Sequence, residues 1–137
     1  MQQQIHLAHQ DAQAIVGTIQ RKLEAGGMGA AVAVVDAHGE LLAFLRTDGC
    51  PLPSINNAIN KAFTAARERR PSQDIGQASR EDGFPITNFG DLRYTGWGGG
   101  VPLVFNGQVV GAVGVSGLPE AEDMALAALG AAVIATP

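Results

Sequence analysis

The chain has 137 residues, 46% of them hydrophobic, with one cysteine and a formal charge of −4 at neutral pH. That length and apolar content suffice for one core without disulfide or metal staples, so residues 1–137 are read as a single domain. The acidic balance speaks against a nucleic-acid partner, which needs a basic stripe to release counterions. No run approaches the roughly 18 apolar residues of a membrane span, so no membrane partner is expected.

The opening Met1-Gln2-Gln3-Gln4-Ile5-His6 has neither a basic segment nor the unbroken apolar stretch of a signal peptide, and Cys50 stands alone. A cytoplasmic location is the expectation. Ile5, Ala8, Ala12, Ile15, Val16, Ile19 and Leu23 recur at helical spacing, which predicts a helix over about residues 4–25, stopped by Gly26 and Gly27. Two short apolar runs, Ala30–Val35 and Leu41–Leu45, flank Asp36-Ala37-His38-Gly39 and read as a β-hairpin.

Pro51 and Pro53 break the chain, and Ser54 is placed to cap a second helix reaching about Arg70, where Arg67, Arg69 and Arg70 offset the negative end of its dipole. Pro71 ends it, Ser72 suits the cap of a third helix through about Arg80, and residues 81–100 read as a long loop. Val101–Phe105 and Gln108–Val115, separated by Asn106-Gly107, predict a hairpin with a type I′ turn. Pro119, Glu120, Glu122 and Asp123 then open a final helix running to the C-terminus. From Met124 to Ile134 that helix is apolar nearly all round, so burial against a second copy, a homo-oligomer, is expected.

The order helix, hairpin, helix, helix, loop, hairpin, helix predicts an α/β (α+β) fold with a central antiparallel sheet flanked by helices. It lacks the strand–helix–strand alternation of a dinucleotide-binding fold. On the second helix, Asn57, Asn60, Lys61 and Thr64 form a neutral hydrogen-bonding stripe around one cation, suited to an anionic or carbonyl-bearing ligand or to a subunit interface. Four of the seven aromatic residues, Phe84, Phe89, Tyr94 and Trp97, crowd the 81–100 segment, as in a pocket wall or a plug on the core. Gly98, Gly99 and Gly100 suggest close backbone approach, without the Lys-Ser/Thr ending of a phosphate loop.

His6 and His9 read as a solvated helix end rather than a metal pair, and no structural metal is expected. Cys50 reads as a buried, inert thiol, and Gly-Val-Ser116-Gly-Leu118 lacks the last glycine of a nucleophile elbow.

Taken in order, Val34-Val35-Asp36 with Gly39, Arg46 with Asp48-Gly49, Ser54-Ile55, Lys61-Ala62-Phe63-Thr64-Ala65, Gly98-Gly99-Gly100-Val101-Pro102 and Val110 to Gly117 with Asp123 resemble the GlcG/HbpS (DUF336) family, over about residues 5–135. The resemblance implies a profilin-like fold, assembly from dimers up to octamers, and heme or cobalamin-related ligands in some members.

The expectation is therefore a ligand-binding protein for heme or a small oxygenated metabolite. Its site would be made of Asn57, Lys61, Thr64, Phe89, Arg93, Tyr94, Trp97, Gly98, Gly99 and Gly100. The alternative is a small catabolic isomerase, lyase or tautomerase, with Lys61, Asp91, Tyr94 and Asp123 carrying protons and backbone N–H groups near Gly99 holding an enolate.

Overall fold

Alternation of small and branched residues along the first strand decides what each sheet face receives. In the computed structural model, which describes residues 1–134, β1 (Ala31–Asp36) and β2 (Leu41–Arg46) form one hairpin, while β3 (Gly100–Phe105) and β4 (Gln108–Ser116) form the other. They join as one antiparallel sheet in the order β2-β1-β4-β3. Asn106 (φ 49°) and Gly107 (φ 75°) supply the two positive φ values that a type I′ turn requires.

Val32 and Val34 of β1, with Val113 and Val115 of β4, face α1 (His9–Ala25) and α4 (Glu120–Ala131) and pack with Ile15, Ile19, Leu23 and Leu126. The opposite face carries Ala31, Ala33, Val35 and Ala112 against Ala58, Ala62, Ala65 and Ala66 of α2 (Ser54–Glu68). Small residues on both sides let α2 lie close to the sheet; a Cβ at Gly114 would overlap the Ala58 carbonyl. This closeness carries the polar end of α2 to the tips of β3 and β4.

Several expected boundaries shift. The first helix begins at His9 rather than near residue 4, because the Leu7 N–H donates to the Val110 carbonyl (3.1 Å) and Leu7 is buried beside the sheet. His6 therefore lies before α1, not on it, and its ring meets His38 edge to face at 4.8 Å. Ser54 is the first residue of α2 and makes no cap; Pro53 precedes it, with its fixed φ already in helical geometry.

The helix ends at Glu68, where Arg69 turns left-handed (φ 59°) and donates to the Ala37 carbonyl (2.8 Å), so the arginines also hold the β1–β2 turn. α3 runs Ser72–Asp82, two residues past expectation, and the supposed loop contains a 3-10 turn at Ile86–Phe89. Cys50 is only half-buried, not fully buried; burial still pushes its thiol upward in pKa against the pull of Arg46. The last helix ends at Ala131 instead of running to the C-terminus: residues 132–134 form a turn, and residues 135–137 lie outside the described residues.

A buried ion pair under a glycine turn

Lys61 projects from α2 toward the ends of β3 and β4, where an unpaired charge would be costly. Its Nζ donates to the Val115 carbonyl (2.9 Å) and to Asp123 Oδ2 (3.1 Å), with only 5% and 4% of the two side chains exposed. Asp123 Oδ1 accepts the Leu118 N–H (3.0 Å), so the carboxylate also ties the β4–α4 connection. Burial pushes the Asp123 carboxyl above the usual aspartate range, opposed by Lys61 and by the Leu118 and Gly117 N–H groups.

The glycine turn closes over this pair. At Gly99 (φ 126°) an added Cβ would stand 3.0 Å from Lys61 Nζ and 2.5 Å from the Val115 oxygen, so only glycine fits in both space and backbone conformation. A Cβ at Gly100 would overlap the Lys61 carbonyl. Ser72, at the start of α3, fixes the turn by donating to the Trp97 carbonyl (2.7 Å) and accepting the Gly100 N–H (2.9 Å).

Above the pair opens a cavity of about 290 Å³ whose walls include Ser54, Asn57, Trp97, Ser116 and Glu120, with Lys61 and Asp123 at its base. Of the residues singled out in the sequence, Asn57, Lys61, Trp97, Gly98 and Asp123 line this one cavity, with Gly99 and Gly100 packed on the Lys61 side.

The other expected site residues lie elsewhere. Thr64 is fully buried beneath the loop, where its Oγ1 accepts the Thr95 N–H (3.0 Å) and faces the Arg93 carbonyl (3.4 Å). Asp91, Arg93, Tyr94 and Phe89 form a second cluster: Arg93 pairs with Asp91 (2.9 Å) and Glu40 (3.2 Å) and lies over the Phe63 ring at 3.8 Å. The Phe89 and Tyr94 rings stack at 4.3 Å, and the Tyr94 hydroxyl donates to Glu68 (2.9 Å). Hydrogen bonds from Arg93 hold the Asp91 carboxyl below the usual range. Burial, then the bond to Glu68, pushes the Tyr94 phenol up to about 12. Neither residue lines the Lys61 cavity, so the four proposed proton carriers are not gathered around one ligand.

Sequence reasoning passed over Ser54, Ser116 and Glu120, which it assigned to a helix cap, a failed nucleophile elbow and dipole compensation. The signal for Ser116 was its place at the end of β4, beside the turn that Asp123 ties.

Residues 7–132 match a family model described as haem degrading protein HbpS-like. Protein GlcG of Escherichia coli is 36% identical over 116 residues, 85% of each chain. Among solved structures, ORFY of Klebsiella pneumoniae superposes with a TM-score of 0.90 at 28% identity, covering 98% of this chain and 94% of that one. A double mutant of HbpS from Streptomyces reticuli gives 0.88 at 30% identity, covering 99% and 92%. With a model match across nearly all of its length, and with its fold shared by those structures, the chain belongs to the HbpS-like family.

Proposed function

We propose that this protein binds a small oxygenated metabolite in the cavity above Lys61 and Asp123. The observation that carries the reading is a buried ammonium with two of its three protons engaged, at the base of a cavity walled by an amide, two hydroxyls and an indole. Polar groups converging in a concave site fix the orientation of a ligand, and an ion pair already satisfied within the chain keeps that site formed before the ligand arrives.

The cavity has room for roughly ten water-sized groups, taking about 30 Å³ for each. Thermal denaturation across a panel of two- to six-carbon alcohols, aldehydes and acids tests the reading. A ligand present at about 100 times its Kd adds about 2.7 kcal/mol of stability, and Asn57→Ala is expected to abolish that gain. A panel that leaves the unfolding temperature unmoved, or that shifts Asn57→Ala equally, overturns it.

Heme, suggested by the family description, has a different place to go. The walls of the Lys61 cavity contain no His, Cys, Met or Tyr to ligate iron. A second cleft of about 410 Å³, lined by Ile5, His6, Leu7, Phe105, Val110 and Val133 among others, combines an apolar wall with one imidazole. A heme bound there would bring its own iron-centred chemistry, while His6 would hold the iron and the aliphatic residues would cover the macrocycle. The second reading is tested by heme titration: a Soret shift in wild type that His6→Ala removes supports it, and a shift unchanged in His6→Ala sinks it.

The outer side of α4 exposes Ala125, Ala128 and Leu129, and the turn after it exposes Ala132 and Val133, while Leu126, Ala127 and Gly130 face the core. We assign this stripe to contact with a second copy of the chain. No helix among the described residues is long and apolar enough to cross a membrane, and a cytoplasmic site of action suits a chain with one thiol and no internal disulfide.

A further inference from the structure

Resting on the Lys61 cavity as the ligand site, we propose that its ligand is a neutral vicinal polyol and that Glu120 is the residue that turns carboxylates away. The cavity holds one cation, Lys61, and that cation is matched by Asp123 at 3.1 Å within the protein. A second carboxylate, Glu120, stands in the wall beside Gly98: an added Cβ there would come within 2.8 Å of Glu120 Oε1.

Glu120 is also the first residue of α4, so the helix's positive end offsets its charge and leaves no surplus for an anion. A ligand carboxylate would enter beside two acids with no unpaired cation to meet it. Like charges brought together in a partly enclosed site are a recognised means of rejecting a partner.

What the walls do offer matches hydroxyl groups. Ser54 and Ser116 each donate and accept, Asn57 does both through its amide, Glu120 accepts, and Lys61 keeps one N–H beyond those given to Val115 and Asp123. Trp97, 63% exposed at the rim, presents a flat apolar surface to the C–H edge of a polyol. Groups able to give and take hydrogen bonds, set beside one aromatic plane, suit a molecule that carries hydroxyls on one edge and carbon on the other.

Trp97 is the only tryptophan in the chain, so its fluorescence reports this cavity directly. The experiment titrates wild type, Glu120→Gln and Asn57→Ala with erythritol and with erythronate, which have equal carbon chains and differ in one terminal carboxylate. Erythritol is expected to give a saturable change in wild type, with erythronate weaker by at least about tenfold. In Glu120→Gln the ratio between the two ligands is expected to fall to within about threefold, whatever that change does to erythritol itself. Asn57→Ala should lose both, with its circular dichroism unchanged.

Erythronate binding as tightly as erythritol in wild type, or discrimination undiminished in Glu120→Gln, overturns the polyol assignment while leaving the cavity as a ligand site. No change in Trp97 emission with either compound, together with an unmoved unfolding temperature across the metabolite panel, overturns the assignment and the site together.

Discussion

Lys61 and Asp123 are the residues whose chemistry constrains the rest, because each is buried and each answers the other's charge. Removing only the cation leaves a carboxylate enclosed without a partner. Lys61→Met is expected to lower stability at neutral pH by about 3–5 kcal/mol, read from urea unfolding. Lys61→Met combined with Asp123→Leu should recover most of that loss, because the uncompensated charge is gone.

The pH dependence of the single variant follows from burial. Without Lys61 the upward push on Asp123 is opposed only by the Leu118 and Gly117 N–H groups, so the folded-state pKa lies further above the unfolded value. The folded state then binds the extra proton, and stability is present below the ordinary aspartate pKa and lost as pH rises through the folded value. Lys61→Met should therefore regain stability on acidification; a deficit independent of pH contradicts the burial of Asp123. Asp91 has the opposite sign: Arg93 depresses its pKa, so its contribution is present above the ordinary value and fades as pH falls through the folded one.

At the scale of elements, the glycine turn and α2 form one unit. Gly100→Ala would press a methyl group into the Lys61 carbonyl, and a loss of about 1–3 kcal/mol in unfolding measurements is expected, together with loss of ligand-induced stabilisation. Alanine at Gly107, where φ is positive but nothing crowds the position, should cost stability without touching ligand binding. Equal effects of the two substitutions on binding would contradict the role of the turn.

The sequence was most informative where one local rule acted alone. The Asn106-Gly107 hairpin, the alternation in β1 and the small-residue face of α2 are each stated by neighbouring residues. The stripe Asn57, Asn60, Lys61 and Thr64 was legible as a face of a helix, yet of its members only Asn57 and Lys61 reach the cavity. The site is one helical turn deep, and Thr64, a further turn along, is covered by the 93–95 segment. Aromatic clustering pointed to a shared wall, but only Trp97 passes the glycine turn, while Phe89 and Tyr94 stack against each other on the far side. Such partition depends on contacts between distant segments, which spacing along the chain does not encode.

For the whole molecule, the consequence is a division of labour between two helix ends and one exposed face. The β4–α4 connection completes the cavity, and α4 then carries an apolar stripe away from it. Light scattering coupled to size exclusion should give a mass above one chain for wild type and a single-chain mass for Leu129→Glu, since Leu129 stands in that stripe at 39% exposure. An unchanged mass in the variant would place the contact on another surface.

The most direct test of the central claim is an amide chemical-shift map of the protein titrated with erythritol. The account predicts perturbations gathered at Asn57, Lys61, Gly98, Gly99, Ser116 and Leu118, saturating together. Shifts gathered instead around Leu7, Phe105 and Val110, or scattered without saturation, would contradict a ligand site built on the Lys61–Asp123 pair.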